Sequence, residues 1–396
     1  MFKRVFFLLV LVTLITPSLA QAASQEVKSI DRPDIAQMKD DEFLDLVQRK
    51  AFDFFWYEAN PETGLIKDRA NNSGPDEYKI ASTASVGFGL TAICIAEKRG
   101  WIKHEEAYNR VLKTLKFYKV KMQNESGFFY HFVHIDTGEA LRKSEVSSID
   151  TALFLAGALF CAEFYKGTEV EQIAKELYLN VNWSKMLNGG TTFSMGYKPS
   201  TLPDAGFIVD RWMYYSEAML LYLMAIGSPT HPIPSQCWYE WVRPIRKYKD
   251  YTVVASPPLF THQYSHLWVD FRNKNDGIAD YFQNSIDATL ANRQFCIDNM
   301  DKYRTYGPDS WGLTACDGPG GYNAYGGAPA IFPIKHDGTI APTAAGGSIM
   351  FTPKESISCM KNLYNQYKDK LWGIYGFSDS FNIVKDCFAT DVIGFD

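Results

Sequence analysis

Three carboxylic acids stand in surroundings that suit acid–base chemistry. Glu217 lies in RWMYYSEAMLLY, where nearly every neighbour is apolar or aromatic, and Asp150 opens the apolar segment SSIDTALFLAG. Asp379 lies among aromatic and small residues in YGFSDSFN. An isolated charge in such a setting is costly, so the carboxyl group is neutral, ion-paired or turned to a polar cavity. Hydrolysis of a glycosidic bond uses two such groups, an acid and a base or nucleophile.

Each acid also has an ordinary structural explanation. Asp150 can charge or cap the start of a helix, and Asp379 can close an Asx-turn. Glu217 can pair with Arg211, but if it is desolvated instead, its pKa rises and it suits a general acid. Spacing alone leaves these alternatives open. Weaker candidates of the same kind are Asp210, Asp309 and Asp317.

A glycan site also needs aromatic platforms for the apolar faces of sugar rings and polar groups for the hydroxyls. For any single tryptophan or tyrosine, a place in the core is the commoner role. The side chains that meet the need are Trp212, Tyr215, His262, His266, Trp311, Tyr322 and Trp372.

Other chemistries find little support in the sequence. The stretch GFGLTA at 87–92 matches a dinucleotide fingerprint, but it lies inside a helical segment with no strand before it. Neither HExxH nor GxSxG occurs, and the seven histidines are scattered, so we predict no metal and no cofactor. The net charge of -5 comes without a basic run, which argues against a nucleic-acid partner.

The elements that must position the three acids alternate in character along the chain. Apolar helices are followed by charged amphipathic ones. A helix that is apolar on every side must be covered all round, whereas one with a charged stripe can face water, so the alternation predicts an inner and an outer ring. The predicted inner and outer pairs are 83–99 with 104–121, 148–165 with 170–182, 211–226 with 233–243, 259–271 with 278–299, and 341–351 with 354–371.

An amphipathic segment at 41–56 adds an outer helix before the first pair. This count predicts an all-α fold, a toroid of six helix pairs that lacks its last inner helix. An irregular bundle or an open α-solenoid is the alternative. Long aromatic loops such as 306–327 favour the toroid, because loops over a rigid scaffold commonly carry function.

The first 22 residues have the features of a secretory signal: Lys3 and Arg4, an apolar run at 5–15, and the small-x-small site Ala20-Gln21-Ala22. The apolar run is shorter than the roughly 20 residues of a spanning helix. We therefore expect a soluble, monomeric protein that is periplasmic or secreted and makes no membrane contact after signal cleavage. An N-terminal extension at 23–40 then precedes a single catalytic domain at 41–396.

Several stretches together resemble a known family, the glucoamylase-like domain that includes bacterial endo-β-1,2-glucanases and related β-1,2-glucooligosaccharide-active hydrolases. They run in family order over nearly all of the chain after Asp41. The matching stretches are SSIDTALFLAGALF, YYSEAMLLYLMAIGSPTHPIP, THQYSHLWVDFR, YGPDSWGLTACDGPGGYNAYG, DGTIAPTAA and DKLWGIYGFSDSFN.

The resemblance implies an (α/α)6 toroid and hydrolysis of a β-linked glucan, above all β-1,2-glucan or its oligosaccharides, with inversion. By this resemblance Glu217 is the candidate catalytic acid, Asp150 is a site carboxylate, and Asp379 matches the aspartate of the family's YGFxDxFN segment. The sugar-binding loop of the family is matched by Trp311, Asp317 and Tyr322. The alternative is a degenerate relative of the same fold that binds glycans without cleaving them.

Overall fold

The computed structural model describes residues 30–141, 143–199 and 204–395, so the predicted signal peptide lies outside the described residues. Two 3₁₀ helices span Leu259–His262 and Tyr264–Leu267. The α-helices of the described residues are α1 (Asp40–Tyr57), α2 (Thr83–Lys98), α3 (His104–Val120), α4 (Ser148–Phe164), α5 (Glu169–Leu179), α6 (Trp183–Leu187), α7 (Met219–Ile226), α8 (Cys237–Glu240), α9 (Tyr281–Asp298), α10 (Pro342–Gly347) and α11 (Pro353–Leu371).

Short strands occupy the connections between the helices. They are β1 (Arg69–Asn71), β2 (Ile80–Ser82), β3 (Asn124–Glu125), β4 (Phe128–Phe129), β5 (Phe132–His134), β6 (Val146–Ser147), β7 (Gly196–Lys198), β8 (Gly206–Phe207), β9 (Ile245–Tyr248), β10 (Tyr251–Val254), β11 (Ala315–Gly318), β12 (Gly321–Ala324), β13 (Trp372–Gly373), β14 (Gly376–Phe377), β15 (Phe381–Asn382), β16 (Cys387–Phe388) and β17 (Asp391–Ile393). They form one three-stranded sheet, β6-β7-β8, and the antiparallel pairs β1-β17, β2-β5, β3-β4, β9-β10, β11-β12, β13-β14 and β15-β16. The chain is mostly helical, but the all-α prediction missed these strands.

Two apolar helices, α2 and α4, form the centre of the larger hydrophobic core. Between Asp150 and Glu163, α4 carries no charged residue, and most of its side chains are buried. The two helices approach closely where Gly87 meets Gly157, because a Cβ atom on Gly157 would lie 2.0 Å from the carbonyl oxygen of Gly87. These glycines therefore serve helix packing, as the sequence indicates for the GFGLTA stretch.

The amphipathic helices α1, α3, α5 and α11 bury one face and leave charged residues in solvent. This arrangement follows from their mixed composition. The segment before α1 packs on α11: Arg32 Nε donates to the carbonyl oxygen of Lys368 at 2.8 Å, and Tyr364 OH donates to that of Pro33. None of the helices among the described residues has both the length and the apolar character needed to cross a bilayer.

Four predicted helices are shorter in the structure or absent, and the one predicted at 341–351 spans only Pro342–Gly347. The helix predicted at 211–226 begins only at Met219, because the preceding backbone bonds to distant segments: Trp212 N–H donates to Phe193 O, and Tyr215 N–H donates to Val242 O. The helix predicted at 259–271 is replaced by the two 3₁₀ turns. The one predicted at 233–243 contracts to α8, which lies between Pro234 and Pro244.

The first and last parts of the described chain meet. Strand β1 pairs with β17 in antiparallel register, with Arg69 opposite Ile393 and Asn71 opposite Asp391. The N–H of Gly394 also donates to the carbonyl oxygen of Asp68 at 2.7 Å. This pairing holds Asp68 and Arg69 beside the β11-β12 hairpin, since Arg69 also contacts Asp317.

Candidate active site

Glu217 lies on the turn directly before α7, at the wall of a pocket of about 370 Å³. Its side chain is 9% exposed. Burial raises the pKa of Glu217 to about 7, and the nearby charge of Asp150 acts in the same direction. Among the described residues no cation contributes to this shift. A carboxyl group in this state is protonated in a substantial fraction of molecules at neutral pH and can donate a proton.

Arg211, the alternative partner for Glu217, is engaged elsewhere. Its Nη2 donates to the carbonyl oxygen of Leu187 at 2.7 Å, and its Nε donates to Thr192 Oγ1 at 3.0 Å. The interpretation of Glu217 as half of a structural ion pair with Arg211 is therefore wrong. Arg211 instead ties the loop before α7 to the loop after α6.

Trp212 connects the loop of Glu217 to the start of α4. Its indole Nε1 donates to Ser148 Oγ at 3.0 Å, and its half-buried ring lines the pocket beside Glu217. Asp150 lies two residues further along α4. The contact therefore brings the two predicted carboxyl groups to the same region, consistent with the electrostatic effect of Asp150 on Glu217.

Asp150 lies at a helix start and also contacts a charged side chain. It is in the first turn of α4, where Ser147 Oγ donates to Asp150 Oδ2 at 2.5 Å and accepts from the Asp150 N–H at 3.2 Å. A side chain with negative charge suits this position, at the positive end of the helix dipole. The other oxygen, Oδ1, lies 3.6 Å from His131 Nε2. The residue thus belongs to a helix start and to a charged cluster at once.

His131 joins Asp150 to Glu145. Its Nδ1 lies 2.9 Å from Glu145 Oε1, and its backbone N–H donates to the carbonyl oxygen of the same residue. Burial by itself lowers the pKa of His131, but the charge of Asp150 and the hydrogen bond and charge of Glu145 outweigh it and raise the pKa to about 9. At neutral pH the ring is an imidazolium held between two carboxylates.

These three residues also form the one group in the described part of the chain whose ligand atoms have a metal-like spacing, within 4.8 Å of one another. A metal needs a ring nitrogen with a free lone pair. In His131, Nδ1 is hydrogen-bonded to Glu145 and Nε2 faces Asp150. We therefore interpret the group as a hydrogen-bonded cluster of charged side chains that holds Asp150 in place.

A chain of polar contacts leads from Asp68, which lies within electrostatic range of His131, to Asp379. Arg69 Nη1 lies 2.8 Å from Asp317 Oδ2, and Arg69 Nε lies 3.3 Å from Asp68 Oδ2. Asp317 N–H donates to Asp379 Oδ2 at 2.6 Å. Burial raises the pKa of Asp68, against the opposing charges of Arg69 and His131. Asp68 is thus close enough to His131 to link the two halves of the network electrostatically.

Asp379 itself lines a different and larger cavity, of about 670 Å³, between α1, α10 and β17. It does not line the pocket of Glu217. The structure therefore groups Glu217 with Asp150 and places Asp379 at the end of the contact chain from Asp68. The geometry supplies one protonated carboxyl group beside a pocket and at least one carboxylate close to it, the pair that acid–base hydrolysis requires.

Residues 210–396 match the Glycoamylase family model, which describes a glucoamylase. These residues are similar to a glucoamylase-like domain. It is similar to the exo β-1,2-glucooligosaccharide sophorohydrolase of Parabacteroides distasonis, with 28% identity over 400 residues that cover 91% of this chain and 53% of the relative. The chain thus spans about half the length of that curated relative.

Solved structures of glycoside hydrolases are similar to the glucoamylase-like domain and to the helices before it. The endo-β-1,2-glucanase of Chitinophaga pinensis, solved with sophorotriose and glucose, superposes with a TM-score of 0.82 at 27% identity and covers 90% of each chain. A β-1,2-glucanase from Parabacteroides distasonis gives a TM-score of 0.83 at 26% identity, over 90% of this chain and 55% of that one. The relatives named here are all glycoside hydrolases that act on β-1,2-linked glucans.

Within the glucoamylase-like domain, the predicted sugar-binding residues divide into two groups. Trp212 and Tyr215 line the pocket of Glu217, although Tyr215 is only 1% exposed and its ring is parallel to that of Tyr281. Asp317 and Tyr322 face each other across the β11-β12 hairpin, and Tyr322 is exposed. These residues are accessible or next to a cavity.

The other predicted ligands lie in the protein interior and do not line the pocket of Glu217. His262 Nε2 bonds to the carbonyl oxygen of Ser256, and His266 Nε2 lies 3.0 Å from Ser285 Oγ. Burial lowers the pKa of both histidines to about 4, so both rings are neutral at pH 7. Trp311 is fully buried in the second core of the domain. In this structure His262, His266 and Trp311 therefore lie in the core, the commoner place for such residues.

Sequence reasoning missed His131, Asp68 and Arg69 as members of the site. His131 precedes β5 and is aligned by a bond from Thr83 N–H to its carbonyl oxygen, whereas Asp68 and Arg69 arrive through the pairing of β1 with β17. The one faint signal in the sequence was the position of His131 among aromatic residues in FFYHF, whereas IKDRA offered none.

Proposed function

We propose that this protein hydrolyses β-1,2-glucan or its oligosaccharides by acid–base catalysis with inversion at the anomeric carbon. The observation that carries the proposal is the buried carboxyl group of Glu217, whose pKa is raised to about 7 at the wall of a pocket and beside Asp150. The substrate class is supported by the similarity to the β-1,2-glucan-active relatives.

In the proposed reaction, Glu217 donates its proton to the glycosidic oxygen as the bond to the anomeric carbon breaks. A carboxylate accepts a proton from a water molecule, which attacks the opposite face of the sugar. The protonated state of Glu217 is favoured by its burial and by the negative charge of Asp150. The charge of Asp150 disfavours the ionised form of Glu217. After it has donated its proton, Glu217 therefore takes up a new proton readily before the next turnover.

Two carboxylates are candidates for the base. Asp150 is held in place by Ser147 and by the His131 imidazolium, and it lies close to Glu217. Asp379 lies at the far end of the contact chain and accepts a hydrogen bond from the Asp317 N–H. Inversion needs room for a water molecule between the base and the sugar, which favours a base farther from the acid. Asp379, however, lines the other cavity, so both aspartates stay candidates for the base.

The proposal includes the architecture and the place of action. The alternation of buried helices such as α2 and α4 with amphipathic ones such as α1, α3 and α5 supports an (α/α)6 toroid. The missing inner helix, the single domain at 41–396 and the monomeric state stay predictions. We also propose that the protein acts in the periplasm or outside the cell. Fractionation of the expressing cells tests this location.

The decisive experiment replaces Glu217 by Gln, which keeps the shape of the side chain and removes the exchangeable acid. We expect release of reducing ends from β-1,2-glucan to fall at least about 100-fold, with an unchanged circular dichroism spectrum. Glu163→Gln is the matched control, because that glutamate is 77% exposed on α4. Full activity of the Glu217 variant would reject its role as acid.

Measuring binding together with turnover tests the alternative, a relative that binds glycans without cleaving them. If wild-type protein binds β-1,2-glucooligosaccharides but releases no product, the alternative is correct and the hydrolase proposal fails. Parallel assays with β-1,3- and α-1,4-glucans test the linkage.

A further inference from the structure

The pocket of Glu217 has an aromatic rim that comes from two distant parts of the chain. Tyr214 belongs to the loop before α7, and Phe332 belongs to the connection between β12 and α10. Their ring centroids lie 5.3 Å apart at an interplanar angle of 85°, an edge-to-face contact. The two residues are 38% and 53% exposed, so this contact forms at the surface and not in the core.

Both loops are anchored so that the rim has a defined place. Tyr214 bridges Val242 in parallel fashion, and the neighbouring Trp212 donates its indole N–H to Ser148 Oγ. On the opposite side, Tyr325 bridges Lys335, which closes the loop that carries Phe332. An exposed aromatic pair held between fixed loops gains little from burial, and such surfaces commonly mark binding sites.

The walls between this rim and Glu217 are mostly apolar. They include Met213, Phe260, Ile331 and Pro333, and the acid stands at the same pocket. A β-linked glucosyl ring carries its hydroxyl groups at the equator and presents C–H groups on both faces. Such a ring can stack on an aromatic side chain while its hydroxyl groups remain in water. The rim therefore has the chemistry of a sugar platform next to the reacting bond.

We propose that Tyr214 and Phe332 form a subsite that binds a glucosyl unit of the substrate adjacent to the unit cleaved at Glu217. This inference rests on the proposed function and extends it from the reacting groups to substrate length. The subsite contacts a unit that does not react, so it stabilises the bound substrate and the transition state alike. Its loss raises KM and leaves kcat nearly unchanged.

The test measures binding and turnover for Phe332→Ala and Tyr214→Ala, with linear β-1,2-glucooligosaccharides of increasing length. In the Glu217→Gln background, calorimetry is expected to show an affinity loss of about tenfold for each alanine variant, the usual scale for truncation of an aromatic anchor. Phe332→Trp keeps a flat ring and is expected to retain affinity. Tyr239→Ala is the control, since Tyr239 is 58% exposed and does not line this pocket.

Unchanged affinity and unchanged KM in both folded alanine variants would overturn the subsite, even if Glu217 proves to be the acid. If the wild-type protein cleaves none of the glucans tested, weaker binding of Phe332→Ala would support the subsite and reject the hydrolase. Weaker binding to a glucan of another linkage would support the subsite and correct the substrate. A fall in kcat at unchanged KM would overturn the proposed role, because it would place the pair at the reacting bond.

Discussion

His131 Nε2 lies 3.6 Å from Asp150 Oδ1, while the Nδ1 atom of the same ring lies 2.9 Å from Glu145 Oε1. The imidazolium thus stands between a carboxylate on α4 and one on the loop before it. This relationship orients Asp150. The charge of Asp150, together with burial, raises the pKa of Glu217.

The first prediction concerns the pH dependence of stability at His131. Its pKa rises from 6.5 to about 9 on folding, so its contribution to the free energy of unfolding is fully present below pH 6.5 and is lost as the pH rises through about 9. We expect His131→Gln to be less stable than the wild type at pH 6, with a smaller difference at pH 9.5. Urea unfolding at the two pH values measures this. His104→Gln, at an exposed ring, is the control, and a difference independent of pH would contradict the assignment.

The second prediction concerns the ionisation of Glu217. Activity requires the protonated form, so kcat/KM is expected to fall as the pH rises through about 7. Because the folded pKa is above the unfolded value of 4.5, the wild type should also lose stability between pH 4.5 and 7. Glu217→Gln should lack this loss. The same stability profile in both proteins would show that Glu217 does not titrate in this range.

The third prediction separates the two candidate bases. We expect Asp379→Ala and Asp150→Ala both to lose activity, but for different reasons. If Asp379 is the base, azide can replace the activated water in Asp379→Ala and yield a glycosyl azide. In Asp150→Ala, one cause of the raised pKa of Glu217 is removed, so the alkaline limb of residual activity should move to lower pH. Formation of the azide product only in Asp150→Ala would identify Asp150 as the base.

The fourth prediction concerns the close approach of α2 and α4. A Cβ atom on Gly157 would lie 2.0 Å from the carbonyl oxygen of Gly87, which is rigid helix backbone. Gly157→Ala is expected to cost about 1–3 kcal/mol of stability, as overpacking of a core does. Thermal or urea unfolding measures the cost. Gly74→Ala is the control, because nothing lies within 4 Å of its added Cβ, and equal stability of the two variants would contradict this account.

The sequence predicted the amphipathic helices well. The segments 41–56, 104–121 and 354–371 correspond to α1, α3 and α11 within about one residue at each end. Their hydrogen bonds are local, and their apolar stripes repeat with the helical period, so the information lies within each segment. The raised pKa of Glu217 was also predictable, because an uncharged run of neighbours implies desolvation whatever the backbone does.

The tertiary structure decided what depends on distant partners. The backbone before Glu217 is not helical because its N–H groups bond to Phe193 and Val242, and no local pattern reveals such partners. Arg69 reaches Asp317 across 248 residues of sequence only because β1 pairs with β17. The sequence alone thus determined which residue types can perform the chemistry and the helices with local periodicity. Which charges meet, and which aromatic rings face a cavity, depended on long-range backbone pairing and packing.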